Sequence, residues 1–237
     1  MAEPPGLSNK EERAGSPRSR EPRPLHSGWR TRGYLPHYDA AETVQHIVFR
    51  LADALPAKVL RDLESAPREI RLDAAEATLD AGLGCRALAD PRIAAQVQTA
   101  LFHFDAERYR LLAWCVMPTH VHLLAGQLPG WPLATVVHGL KSFTANAANR
   151  ILSRSGRFWA PEYFDRMMRT PEQHERTLFY IEANPVAAGL LASPEAWPWS
   201  SARARASSLP GARASSPHLP LKSGLEARAP GRTRARG

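Results

Sequence analysis

Two apolar runs separated by a single Pro-Thr pair constrain this chain more than any other feature of it. Tyr109 to Met117 is rich in apolar residues, Pro118-Thr119 follows, and His120 to Ala125 is apolar again apart from its two histidines. Runs this short, joined this tightly, read as two strands of a hairpin. A bare hairpin is at best marginally stable in water, so the rest of the chain has to supply further strands and a covering layer. Upstream, Val44, Ile47, Val48, Phe49 and Leu51 give Thr43 to Leu51 the β-branched and aromatic pattern of a first strand. Pro56 opens a helical stretch from Ala57 to Ala66, with Val59, Leu60 and Leu63 on one face. The acidic stretch beyond it, with glycines at 82 and 84, supports no firm assignment.

Asp90-Pro91-Arg92 then supplies an N-cap and a first-position proline, followed by Ile93, Val97, Ala100, Leu101 and Phe104 at helical spacing. Another helix is predicted from about Leu133 to Leu152, ended by Ser153-Arg154-Ser155-Gly156. Phe158-Trp159 and Tyr163 to Met168 suggest a short strand. The clearest start signal is Thr170-Pro171-Glu172-Gln173, with a glutamine able to close a capping box. That helix is expected to stop near Asn184, because Pro185 disfavours helical geometry in the residue before it. The order of elements predicts an α+β sandwich, an antiparallel sheet covered by helices.

The net charge of +8 sits at the ends. Residues 1–33 carry +3 and residues 203–237 carry +7, which leaves residues 34–202 at −2. The middle is therefore not a basic domain, and attraction to nucleic acid by bulk charge belongs to the arms. Basic, Pro/Ala/Ser-rich ends such as Arg228 to Arg236 are too polar to fold alone. They are expected to be disordered arms at 1–33 and 203–237, which either neutralise phosphates nonspecifically or only solubilise the chain. One folded domain at 34–202 lies between them. Two cysteines, Cys85 and Cys115, without paired spacing imply neither a disulfide framework nor a cysteine zinc site. No run of about 18 apolar residues is available to span a membrane, and the N-terminus lacks the apolar stretch of a secretory signal. A cytoplasmic protein with no membrane partner is expected.

Within a strand, His120 and His122 project to one face while Val121 and Leu123 point to the other, so the two imidazoles can converge on one ion. Taken alone, such a pair is more often two solvated or hydrogen-bonded surface histidines than a metal site. Tyr180 and Asn184, four apart near the end of the last predicted helix, share a face. By spacing alone Tyr180 reads as core, and Asn184-Pro185 as a helix stop. A chemistry that would use all four is phosphoryl transfer. A phenol of pKa near 10 is a poor nucleophile unless a cation stabilises the charge that develops around phosphorus. Two histidines and one amide leave positions open for phosphate and water, which suits Mg2+ or Mn2+ better than a closed zinc site.

The run Ala113-Trp114-Cys115-Val116-Met117-Pro118-Thr119-His120-Val121-His122-Leu123-Leu124 resembles the HUH motif of the insertion-sequence-200-like transposases, in particular the REP-associated tyrosine transposases. Tyr180-Ile181-Glu182-Ala183-Asn184-Pro185-Val186-Ala187-Ala188-Gly189-Leu190 resembles their nucleophile helix. Leu140-Lys141-Ser142-Phe143-Thr144, Phe158-Trp159, Tyr163-Phe164-Asp165, Arg32-Gly33-Tyr34-Leu35-Pro36-His37 and Trp197-Pro198-Trp199-Ser200-Ser201 also fit, over about residues 30–202. The resemblance implies that His120 and His122 are the metal-binding pair, that Asn184 completes the metal site, and that Tyr180 is the nucleophile. It implies an RNA-recognition-like (ferredoxin-like) HUH sheet. The implied reaction cleaves and rejoins single-stranded DNA at hairpins formed by repetitive palindromes, through a 5′-phosphotyrosine. Tyr163 and Tyr34 are the alternative phenols.

Lys141, Arg150, Arg154, Arg157, Arg166 and Arg169 concentrate positive charge in the slightly acidic middle and are the candidate DNA contacts, with Trp159 or Trp199 available to stack on unpaired bases. The alternative for these residues is a solvated helix face and a pair of core tryptophans. The expected partner is single-stranded or hairpin DNA, which would place the protein at the nucleoid, as a monomer or a homodimer. The competing function is a domesticated protein that binds the hairpin without turning it over. A third reading, an RNA-binding or metal-binding structural module, rests on fold likeness alone.

Overall fold

The computed structural model of the chain describes residues 28–31, 36–82 and 84–207. A small outer hairpin, β1 (Gly28–Thr31) and β2 (Pro36–Asp39), precedes the main sheet. That sheet contains β3 (Val44–Arg50), β4 (Tyr109–Val116), β5 (His120–Gln127) and β6 (Phe164–Met167). Its spatial order is β4-β5-β3-β6, every neighbour antiparallel. Numbered by their order in the chain these are strands 2-3-1-4. With a helix in each crossover, this is the β-α-β-β-α-β ferredoxin-like arrangement. The sequence prediction of an α+β fold with an antiparallel sheet covered by helices is what the chain adopts.

Strand alternation divides the sheet into two faces with separate cores. On one, Ile47, Phe49, Trp114, Val116, Val121 and Leu123 are covered by α3 (Pro91–His103) and α4 (Leu133–Ile151). Both helices bury an apolar stripe at helical spacing, for example Leu133, Val136, Val137, Leu140, Thr144 and Ala148 of α4. Asp90 caps α3 by accepting from Arg92 N–H. On the other face Val44, Ala113, Cys115, Met117 and Leu124 pack against Ile181 of α5 (Pro171–Ala187). His120 and His122 belong to this second face by alternation. A bulge between Leu111 and Ala113 resets the phase of β4 so that Cys115 lies opposite His122.

Both edges of the sheet are covered. Val116 N–H donates to Trp199 O at 2.9 Å, and Trp197 Nε1 donates to Val116 O at 3.0 Å, so the 197–200 segment closes the β4 edge before α6 (Ser201–Ser207). Ser201 and Arg205 both bond the Glu182 carboxylate, which ties α6 to α5. At the opposite edge His37 of β2 meets Asp165 of β6 at 2.5 Å.

Four details differ from the sequence expectations. A helix absent from them, α2 (Arg68–Asp80), follows α1 (Ala57–Ser65). The helix carrying Tyr180 does not stop at Asn184: α5 runs through Pro185 to Ala187. Leu190 N–H bonds Pro185 O and Gly189 N–H bonds Val186 O, each at 2.9 Å, with Gly189 at φ +68°. Gly189 therefore ends the helix, and Pro185, sitting in the last turn, costs only one donor there. Gln173 reaches back to the Arg169 N–H rather than to that of Thr170, while Thr170 accepts from Gln173 N–H as expected of the N-cap. The ordered part is also wider than 34–202, because Gly28–Thr31 pairs with β2 and α6 continues to Ser207. The expected disorder of 1–27 and 208–237, like Tyr34, lies outside the described residues.

Candidate metal centre and nucleophile

His120 and His122 are both fully buried on the α5-facing side of β5, and their Nε2 atoms approach to 2.8 Å. Two nitrogens bound to one ion at right angles, each about 2.1 Å from it, would stand about 3 Å apart. Each ring is oriented from behind. The Thr119 hydroxyl has one proton and donates it to Leu79 O at 3.1 Å, so it can only accept from His120 Nδ1, 2.7 Å away. That fixes the His120 proton on Nδ1 and leaves the Nε2 lone pair directed at His122. On His122, Nδ1 lies 3.1 Å from His46 Nε2. Burial, reinforced by the neighbouring histidines, depresses both imidazoles, His120 to about 3 and His122 well below its ordinary value. Both are neutral, the form that binds a metal.

α2 brings two carboxylates to this pair from positions four apart, one turn of helix. Asp80 Oδ1 lies 3.4 Å from His120 Nε2, and Glu76 Oε1 lies 3.8 Å from His46 Nδ1 and 4.0 Å from His122 Nδ1. Two sets of potential ligand atoms result, each within 4.8 Å of one another: Asp80, His120 and His122, and His46, Glu76 and His122. Because the imidazoles are neutral, Asp80 faces no compensating charge from them. Burial raises its carboxyl to about 6, and the nearby Asn184 amide acts to lower it.

Tyr180 stands at the rim. Its ring meets His122 edge-on at 5.7 Å between centroids and His46 at 6.1 Å, and its hydroxyl donates to Glu76 Oε2 at 2.9 Å. The side chain is 38% exposed, so it joins the buried centre to solvent. Burial, then the charges of Glu76 and Asp80, push the phenol above its ordinary value and keep it protonated. One turn on, Asn184 is buried, with no well-formed hydrogen bond at either amide atom, yet close enough to Asp80 and Tyr180 to affect both. The four residues singled out in the sequence thus gather at one place. His46, Glu76 and Asp80 were not singled out. His46 shares a face with the apolar Val44 and Val48 of a predicted strand, and the two carboxylates lie in the acidic stretch that carries no assignment in sequence.

The donor set fits a divalent cation: two neutral, pre-oriented imidazoles of β5 and a buried carboxylate oxygen of α2 come together, with the unsatisfied Asn184 amide of α5 close to that carboxylate. Of the two alternative phenols, Tyr163 alone lies among the described residues. Tyr163 is buried and stacks on His37 at 4.1 Å.

The candidate DNA contacts divide. Arg150, Arg154, Arg157, Arg166 and Arg169 are exposed, and Arg166 lies opposite His46 in register, on the face that bears the histidines. Lys141 is engaged instead: its ammonium donates to Ala160 O at 2.6 Å and Pro161 O at 2.8 Å, and burial lowers it to about 8. Trp159 is core, its Nε1 donating to Thr144 at 2.9 Å, and Trp199 is partly buried against the same core. Neither offers an open stacking face. The exposed aromatics among the described residues are Phe102, Phe143, Phe179 and Tyr180.

Residues 92–184 match the family model described as Transposase IS200 like. A REP-associated tyrosine transposase solved bound to a REP hairpin is similar at 16% identity and a TM-score of 0.46, over 69% of this chain and 79% of that one. A candidate transposase from Deinococcus radiodurans R1 is similar at 18% identity and a TM-score of 0.29, over 65% of this chain and 96% of that one. No curated protein matches the sequence. Among the described residues no helix is long and apolar enough to cross a membrane.

Proposed function

Taking residues 92–184 as a transposase segment of the IS200-like family, we propose that the protein cuts and rejoins single-stranded DNA at hairpins, with Tyr180 as nucleophile and a divalent cation held by His120, His122 and Asn184. The observation that carries this is the partly exposed Tyr180 beside a buried pair of converging imidazoles. When bound, Mg2+ or Mn2+ would withdraw electron density from a phosphate oxygen and favour attack at phosphorus.

Tyr180 Oη forms a bond to phosphorus as the bond to the 3′-oxygen breaks. The phenolic proton passes to Glu76, which already accepts its hydrogen bond. The departing oxygen takes up a proton to become a 3′-hydroxyl, and the 5′-phosphate stays on Tyr180. Reversal by another 3′-hydroxyl rejoins DNA without an external energy source, because the phosphodiester energy is kept in the phosphotyrosine. The rim position lets a strand reach the phenol while the imidazoles stay dry. Exposed Arg166, on the same face, and Arg169 beyond it are suited to hold its phosphates.

The test is covalent capture. Labelled hairpin DNA from the flanks of the protein's own gene is incubated with the protein and Mg2+ or Mn2+, then run on a denaturing gel. An adduct lost with chelator, with His120→Ala and with Tyr180→Phe is expected. Tight binding without an adduct would instead identify a domesticated hairpin-binding protein.

A further inference from the structure

We infer that Asp80 is an anionic ligand of the cation held by His120 and His122, so that α2 as well as α5 completes the metal centre. The inference rests on the reading of the two histidines as a metal pair. Its first support is convergence. Thr119 holds the His120 proton on Nδ1, and the Nδ1 of His122 faces His46, so both Nε2 atoms are turned toward one point. Asp80 Oδ1 lies 3.4 Å from His120 Nε2, and Asp80, His120 and His122 each offer one ligand atom within 4.8 Å of the others.

The second support is that this oxygen is buried and makes no hydrogen bond. A carboxylate oxygen with neither water nor donor is costly to bury, and a cation at the shared point satisfies it. The position is also built in. Thr119 bonds the carbonyl of Leu79, the residue before Asp80, so the hydroxyl that orients His120 also anchors the end of α2 against it.

The other donor set is less suited to the same ion. It would use His122 Nδ1, already 3.1 Å from His46 Nε2, and Glu76, whose second oxygen holds Tyr180. It also leaves His120 out. Glu76 and His46 therefore stand behind His122 and Tyr180, while Asp80 faces the ion. A carboxylate in the set shifts the site toward hard divalent cations and offsets part of the ion's charge. Asn184, close to Asp80, remains the contribution of α5 to the same ion.

The experiment uses the full chain without DNA and reads Mn2+ binding by calorimetry, together with the thermal shift that Mn2+ produces. Wild type, His120→Ala, Asp80→Asn, Glu76→Gln and Asn184→Ala are compared. Asp80→Asn is expected to weaken Mn2+ by about tenfold or more and to shrink the Mn2+ thermal shift. With chelator present it should be at least as stable as wild type, because an uncompensated buried charge is gone. Glu76→Gln should bind Mn2+ more nearly as wild type does. If Asp80→Asn binds as wild type while His120→Ala does not, Asp80 is no ligand and the histidine pair stands. If His120→Ala binds as wild type, both assignments fall. Loss of stability in chelated Asp80→Asn would make the carboxylate structural and overturn the inference.

Discussion

Replacing Thr119 by valine keeps the shape of the side chain and removes one hydroxyl from the base of the site. The residue is 2% exposed, so water cannot take the hydroxyl's place. Two bonds go. The His120 Nδ1–H loses its acceptor, which costs about 1–3 kcal/mol for an orphaned buried donor. The bond to Leu79 O also goes, but that carbonyl keeps Gly82 N–H at 3.0 Å, so only the net value of one hydrogen bond, about 1 kcal/mol, is forfeited. The sum is roughly 2–4 kcal/mol, or about 5–15 °C in Tm for a domain of this size. The cost can be reduced only by moving the His120 proton to Nε2, which removes the lone pair a cation needs. Thr119→Val should therefore also weaken Mn2+ by about 10–100-fold, as loss of a partner behind a ligand does. Thr119→Ser retains the hydroxyl and should recover most of both effects. The assays are chemical denaturation in chelator and Mn2+ calorimetry. A valine variant that unfolds and binds Mn2+ as wild type does would refute the proposed orientation of His120.

Further expectations concern the scaffold. Gly84 packs so closely that an added Cβ would lie 2.3 Å from Ala54 O and 2.4 Å from Asp53 O, so Gly84→Ala should cost about 1–3 kcal/mol or more by forced backbone movement, read by denaturant unfolding. At the β2–β6 junction burial alone would lower His37, but Asp165 and Glu162 outweigh it and the net shift is upward. A raised histidine stabilises fully below its unfolded pKa of about 6.5, and that contribution is lost as pH climbs through the higher folded value. The stability gap between wild type and His37→Gln should thus narrow from pH 6 toward alkaline pH; a gap independent of pH would show that His37 is not charged there.

The legible parts of the fold were those with local signals: the Asp90 and Thr170 caps, the stripe of α4, and the hairpin around Pro118-Thr119. Alternation also put both histidines on one face, and helical spacing put Tyr180 and Asn184 on another. What local pattern cannot carry is which strand and helix lie alongside. His46 and Glu76 act only because β3 pairs with β5 and α2 folds over both, and nothing near either residue in sequence announces it. α2 escaped notice because it lies in a charged segment, where Ala75 and Leu79 are the buried apolar positions among its described side chains. Pro185 misled for a physical reason: a proline in a last turn forfeits one hydrogen bond, and the Gly189 cap compensates. Trp159 and Lys141 carry side-chain types suited to DNA contact, but within the fold both are already engaged, by Thr144 and by the Ala160 carbonyl.

The most direct test of the central claim is to locate the covalent bond. After reaction with the hairpin strand and Mn2+, the protein is digested and the nucleotide-bearing peptide sequenced by mass spectrometry. The account predicts a 5′-phosphonucleotide on Tyr180 and none after Tyr180→Phe. A modification on Tyr163 or Tyr34, or one that survives Tyr180→Phe, would contradict it.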